Sequence, residues 1–226
     1  LGLSIVVVHG GGPRIKRELD RYNIQTKFIR GLRVTDKNII NIVESVLIDF
    51  NKDIVSSLEK KSSRALSINT KKNNIITVVP ESKELGFVGI PSKINIEVIK
   101  NAIKKNIIPI ISPLGLGVDN KTYNINGDTA AGAIAKSLKS RRLLLMTNVK
   151  GVLNNEKKLI EEISSSEILN MIDKEIITEG MIPKINTCLD AVNNGVAAVG
   201  IIDGREKHSL LFEIFSDKGS GTLIRK

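Results

Sequence analysis

Ile5–Pro13 reads I-V-V-V-H-G-G-G-P, and the rest of the chain is read outward from it. Four β-branched apolar residues suit a strand buried on both faces of a parallel sheet. Gly10, Gly11 and Gly12 then strip the turn of side chains. Without Cβ atoms the backbone can take positive φ, and a ligand can approach bare N–H groups. Pro13 lacks an N–H and has φ preset for a first helical turn, so a helix is expected to start there. Strand, glycine turn and helix aim N–H groups and a helix dipole at one point, a geometry that suits phosphate or carboxylate. The alternative is a tight strand–helix connection with no ligand. Neither a P-loop Gly-Lys-Ser/Thr nor the G-x-G-x-x-G dinucleotide spacing is present.

Composition narrows the class. At 226 residues with 41% hydrophobic content, the chain can build one large or two small cores. Only 3% of residues are aromatic, so those cores must be Ile, Val, Leu and Ala. No apolar run reaches the ~20 residues of a membrane span, and no signal peptide is read at Leu1–Val8. A lone Cys188 excludes an internal disulfide. The net charge of +10 arises from scattered doublets such as Lys60-Lys61 and Arg141-Arg142, with no aromatic platform for bases. That pattern argues against nucleic acid, while a positive field still steers anions such as ATP.

Along the chain, Ile39, Val43, Val46, Leu47 and Phe50 form a helical stripe that Thr35 or Asp36 can cap. Arg33, just before that cap, suits either a surface ion pair or a bidentate clamp on a carboxylate. Ala65–Ile68 and Ile75–Val79 read as a hairpin around the polar turn Asn69–Asn74, followed by a loop over Glu81–Pro91. Ile94–Lys105 reads as a helix and Ile107–Ser112 as a second buried strand. Asn124 and Asn126 lie on one side of an extended approach to the small-residue helix Ala130–Leu138, with Asp128 or Thr129 as its expected cap. Leu143–Met146 is a further strand, and Ser164-x-x-Glu167 is a capping box. Lys184 follows Pro183 in a first helical turn, where a cation opposes the dipole by about 0.3–1 kcal/mol unless an anion is bound. Ala197–Ile202 reads as a strand, His208–Phe215 as a helix, and Gly219–Ile224 as a turn into an edge strand. His9 and His208 show no triad or metal spacing, and no metal site is expected.

The repeated strand–loop–helix order gives an α/β fold with a mainly parallel sheet, whose ligands bind beyond the strands' carboxyl ends. The turns at 10–12 and 124–128 and the loop at 147–151 are expected there. They offer N–H donors, amides, a carboxylate and cations, but no activated nucleophile. Phosphoryl transfer to a carboxylate fits that inventory, because an ionised acceptor needs no base.

V-V-V-H-G-G-G-P, G-L-R-V-T-D, Y-N-I-N-G-D-T-A-A-G, G-M-I-P-K and I-I-D-G-R-x-x-H-S-L-L-x-E-I-F, in this order, resemble the N-acetylglutamate kinases of the amino acid kinase family. The resemblance implies a three-layer αβα sandwich of two lobes. Residues 1–138 would bind N-acetyl-L-glutamate and dimerise; residues 139–226 would bind ATP. ATP, taken with Mg²⁺, would phosphorylate the side-chain carboxylate in the second step of arginine biosynthesis. Gly11 and Gly12 would bind acceptor and phosphoryl group, Arg33 and Asn124 would hold the amino-acid end, and Lys184 and Asp128 would be catalytic. Asn148, Val149, Lys150, Gly151, Val152, Leu153, Ile176, Ile177 and Thr178 would surround the nucleotide. His208, Glu213, Gly219 and Gly221 resemble an arginine effector site. A homodimer or hexamer, a PII signalling partner, and residence in the plastid stroma or a bacterial cytoplasm are further expectations from the resemblance.

Four departures stand out. The family's earlier Lys-x-Gly-Gly turn has no counterpart after Leu1, so an N-terminal truncation is expected. Asn148 replaces a usual Asp, the turn at Asn69–Asn74 lacks the usual glycines, and Glu179 precedes Gly180 where a second glycine is common. The alternatives are a related amino acid, carbamate or UMP kinase, or a non-catalytic arginine-binding regulatory homologue.

Overall fold

The computed structural model describes residues 2–177, 181–216 and 219–226. In chain order the elements are β1 (Val7–Val8), α1 (Gly12–Arg21), β2 (Phe28–Ile29), β3 (Leu32–Arg33), α2 (Lys37–Glu59), β4 (Ala65–Ile68), β5 (Ile76–Pro80), β6 (Gly89–Ile94), α3 (Ile96–Lys104), β7 (Ile108–Ile111), β8 (Leu114–Gly117), β9 (Thr122–Asn124), α4 (Gly127–Leu138), β10 (Arg142–Thr147), β11 (Glu162–Ser164), α5 (Ser165–Asp173), α6 (Ile182–Asn193), β12 (Ala198–Asp203), α7 (Ser209–Phe215) and β13 (Gly221–Arg225). This is an α/β architecture in two compact units, Leu1–Ala131 and Gly132–Lys226, with the division inside α4. No helix among the described residues is long and apolar enough to cross a membrane.

In the first unit β1 and β4 flank β7, all parallel. A second sheet has the order β6-β5-β8-β9. Helix α2 is capped by Asp36, whose Oδ1 accepts from the N–H groups of Asn38 (2.8 Å) and Ile39 (2.9 Å). Its apolar face, Ile39, Ile40, Val43 and Leu47, buries against Ile15 and Leu19 of α1 and against Leu114, with Phe87 packed alongside. In the second unit the order is β10-β12-β13-β11, and Val199, Ile201, Ile202 and Ile224 are fully buried. The capping box opening α5 forms as its sequence implies, with Ser164 and Glu167 exchanging hydrogen bonds.

The structure corrects several expectations. β4 and β5 do not pair; they belong to different sheets, and the turn between them closes only a bridge from Asn69 to Lys72. The antiparallel partner of β5 is β6, which begins inside the segment expected to be a loop and runs on to Ile94, where a helix was expected to start. β1 is shorter than Ile5–Val8 and pairs only with β7, leaving Ile5 about half exposed at 48%. β13 is no edge strand: it lies antiparallel to β12 and parallel to β11. Helix α4 starts at Gly127, and its cap is Asn126, whose Oδ1 accepts from the N–H groups of Asp128 (2.9 Å) and Thr129 (3.2 Å). The Asp128 side chain therefore lies inside the first turn and is not the cap.

Candidate functional site

β1 runs into the glycine turn and α1 follows at once, with Gly11 as N-cap at φ −167° and ψ 3° and no side chain capping the helix. None of Gly10, Gly11 and Gly12 has positive φ. Sterics bear on Gly11 alone: a Cβ there would overlap Leu47 Cδ2 of α2, whereas Gly10 and Gly12 face open space. Among the described residues no backbone carbonyl takes the Gly11 N–H, and the first N–H groups of a helix have no intrahelical acceptor. The start of α4 reaches the same turn, since a Cβ on Gly127 would lie 3.7 Å from Gly10 Cα and 3.9 Å from the His9 carbonyl oxygen. Two helix N-termini thus meet at Gly10, and both dipoles present positive ends there.

Arg33 ends the short hairpin of β2 and β3, whose turn residues Arg30 and Gly31 both have positive φ. Its Nη1 donates to Thr26 Oγ1 at 2.7 Å, and its guanidinium lies 4.7 Å from the Phe28 ring centroid. Burial pushes its pKa below the ordinary arginine value, partly offset by Asp20. Asn124 ends β9 and donates its N–H to the Phe87 carbonyl at 2.9 Å.

A strap ties Asn124 to Thr35, two residues beyond Arg33, and sequence reasoning missed it. Thr35 donates to the Leu85 carbonyl (3.0 Å) and accepts from the Phe87 N–H (2.7 Å), while Phe87 accepts from Asn124. The strap needs Gly86, which has φ +66° and whose Cβ would overlap the Thr35 carbonyl oxygen. The signal available was Gly86 and Gly89 flanking the apolar pair Phe87-Val88. From α2, Glu44 also holds β9 in place: its Oε1 accepts from Thr70 (2.6 Å) and Thr122 (2.7 Å), and Lys71 pairs with Oε2 at 3.4 Å. Burial opposes ionisation of Glu44, but the two hydroxyls and Lys71 outweigh it and lower its pKa. Thr70 and Lys71 lie in the polar turn between β4 and β5.

In the second unit, the segment after β10 and the segment after β12 share one end of the sheet, with Thr147 opposite Asp203. Asn148, Lys150 and Leu153 are exposed there, and Val149 is half-buried. Gly151 and Val152 are buried; the Val152 N–H donates to Thr222 Oγ1 at 2.8 Å. Asp203, present in the sequence reading only within the motif I-I-D-G-R, accepts Arg205 Nε at 2.9 Å and Nη2 at 2.7 Å. Those bonds and the Arg205 N–H hold its carboxyl down at about 2. Lys184 is half-buried in the first turn of α6, beside Pro183. Ile176 is half-buried and Ile177 buried; Thr178, with Glu179 and Gly180, lies outside the described residues. His208 takes a left-handed conformation at the start of α7 (φ +63°). Glu213 is buried, accepts the Ser220 N–H at 3.0 Å and lies 3.7 Å from Arg142 Nη1; Gly219 and Gly200 pack against its carboxylate. Gly221 lies in β13 hard against the Ile201 carbonyl.

The family model described as the amino acid kinase family matches residues 1–203. An acetylglutamate kinase from Pelagibacter ubique (strain HTCC1062) is 59% identical over the whole of this chain and 78% of its own length. One from Clostridioides difficile (strain 630) is 46% identical over the whole chain and 81% of its own. Among solved structures, smu.665 from Streptococcus mutans UA159 superposes with a TM-score of 0.85 at 33% identity, over 98% of this chain and 86% of that one. An N-acetylglutamate synthase from Neisseria gonorrhoeae, complexed with coenzyme A and N-acetyl-glutamate, gives 0.86 at 25% identity over all of this chain and 52% of that one.

Proposed function

Since the chain belongs to the amino acid kinase family and, within it, to the acetylglutamate kinases, we propose that it transfers the γ-phosphoryl group of ATP to the side-chain carboxylate of N-acetyl-L-glutamate. The product is N-acetyl-L-glutamyl 5-phosphate, and the step is the second of arginine biosynthesis. The observation that carries this reading is the uncapped start of α1 at Gly11 and Gly12, met by the start of α4 at Gly10. Its N–H groups are preorganised for an oxyanion and need no reorganisation as charge develops, which is where an enzyme gains most.

In this reading the Gly11 and Gly12 N–H groups take the acceptor carboxylate and the migrating phosphoryl group. Arg33, and Asn124 anchored by the Phe87 strap, hold the amino-acid end. Lys184 neutralises charge on the phosphoryl group, and Asp128 orients the lysine side of the site. Residues 1–138 form the acceptor lobe, which also dimerises, and 139–226 the nucleotide lobe. Asn148–Leu153 and Ile176–Thr178 lie around ATP, which enters as its Mg²⁺ complex. No general base is required, because the acceptor carboxylate is already ionised at neutral pH.

Arginine is proposed as an effector at His208, Glu213, Gly219 and Gly221; the support is the buried Glu213 carboxylate, a group that suits a guanidinium. A dimer or hexamer, PII binding and plastid residence rest on the sequence likeness alone. Of the two locations that likeness allowed, the bacterial relatives favour a bacterial cytoplasm.

Hydroxylamine trapping tests the chemistry. With ATP, Mg²⁺ and N-acetyl-L-glutamate, a hydroxamate should form in step with ADP release, and aspartate, glutamate, carbamate and UMP should give far less turnover. ADP release without hydroxamate, or a preference for another acceptor, would remove the proposal.

A further inference from the structure

His9 is the buried titratable residue that this chemistry leaves without a task. It is 6% exposed and sits between β1 and the glycine turn, its ring edge-on to Phe50 with centroids 5.0 Å apart. Nδ1 lies 2.9 Å from the Gly10 carbonyl oxygen. A carbonyl only accepts, so Nδ1 carries the proton. In the neutral ring Nε2 is then an acceptor. It faces Asn51 Nδ2 and Ser112 Oγ, each at 3.2 Å.

Asn51 Nδ2 also donates to the Ile110 carbonyl of β7 at 2.9 Å, which fixes the amide with its NH₂ toward both acceptors. Its Oδ1 is left buried, with no hydrogen-bond partner among the described residues. An orphaned buried acceptor is costly, and the fold tolerates it at the asparagine that sets the imidazole tautomer. Burial, together with the Arg14 guanidinium, holds the His9 pKa below its ordinary value against the opposing pull of the Gly10 carbonyl.

The peptide joining Gly10 to Gly11 is planar and trans, so its N–H points opposite to its C=O. A Gly10 carbonyl turned in toward His9 therefore turns the Gly11 N–H away from His9. Glycine on both sides leaves no Cβ to resist rotation of that peptide. Among the described residues no backbone N–H reaches the Gly10 carbonyl. The direction of the Gly11 N–H consequently depends on the imidazole.

We propose that His9 is a positioning residue: by holding the Gly10 carbonyl it aims the Gly11 N–H at the bound anion, while Asn51 and Ser112 keep the ring in the tautomer that can do so. The proposal rests on the acceptor site assigned to the glycine turn. Two amide substitutions separate the two edges of the ring. His9→Asn places an NH₂ near the position of Nδ1 and preserves donation to Gly10. His9→Gln places its amide oxygen near Nε2, keeps an acceptor toward Asn51 and Ser112, and abandons Gly10.

His9→Gln should raise the KM for N-acetyl-L-glutamate by about tenfold, the effect of one misdirected hydrogen bond to a charged ligand, with the KM for ATP unchanged. His9→Asn should raise it by only about threefold, as one imperfectly replaced hydrogen bond. Crystals of His9→Gln without substrate should show the 10–11 peptide rotated or in two orientations, and those of His9→Asn the native one. Equal losses in both variants, or a native peptide and unchanged KM in His9→Gln, overturn the proposal. Should His9→Gln not fold, His9→Asn decides: a full tenfold loss despite an amide within bonding distance of the Gly10 carbonyl overturns it, and a retained KM supports it. Wild-type protein with no turnover of N-acetyl-L-glutamate would instead remove the kinase reading, leaving the peptide orientation as a test independent of activity.

Discussion

Replacing Gly86 by alanine attacks the strap between Thr35 and Asn124 through two separable effects. At φ +66° an L-residue is strained by about 1–2 kcal/mol. The new Cβ would also overlap the Thr35 carbonyl oxygen, which is backbone and cannot rotate aside. Relief requires the strap to move, adding an overpacking cost of about 1–3 kcal/mol. Movement endangers the bonds from Thr35 to Leu85, Phe87 to Thr35 and Asn124 to Phe87. The expected total is about 2–5 kcal/mol. At a urea slope near 2 kcal/mol/M, that lowers the midpoint of the first unit by about 1–2.5 M. Gly31→Ala is the control: φ is +78° but the Cβ would meet open space, so only the conformational strain should appear. Urea unfolding followed by circular dichroism gives both numbers. If Gly86→Ala costs no more than Gly31→Ala, the close approach to Thr35 is not what demands glycine, and the strap argument fails. In a folded Gly86→Ala protein, the KM for the acceptor should also rise, because Asn124 loses its anchor.

Lys184→Ala should lower kcat by about 10²–10³-fold with a much smaller rise in either KM, since the proposed contact strengthens as charge develops; intact kcat with weakened binding of both substrates would assign the lysine to ground-state binding instead. Glu44 should give the fold an acid-sensitive clasp. Its pKa is lowered in the folded state, so its contribution is fully present above the unfolded value near 4.5 and fades as pH falls through the folded one. Urea midpoints measured from pH 6 down to pH 3 should therefore fall less steeply in Glu44→Gln than in the wild type, and parallel curves would exclude that role.

Features that depend on neighbours a few residues away were legible in the sequence. The stripe of α2, the Asp36 cap and the Ser164–Glu167 box are i to i+3 and i to i+4 relations, and they formed as the residue types imply. The α/β order followed from alternating apolar runs and glycine turns, and the Gly10–Gly12 turn was identified with its helix. Tertiary structure decided whatever depends on a partner far along the chain. Which strand pairs with β5, and whether β13 lies at an edge, depends on which faces remain to be buried, and no local pattern encodes that. Asp128 and Thr129 looked like caps because both are capping residue types, and only the chain's exit from β9 selected Asn126. Sequence offered positive φ and ligand approach as reasons for glycine at position 11; the φ is not positive, and packing added a reason of its own, the Leu47 methyl of a distant helix. Asn51, on the buried face of α2, was the trace of a polar network. Its partner His9 became meaningful only when β1, α2 and β7 came together, because a tautomer is set by the groups facing both ring nitrogens, and those come from three separate stretches of chain.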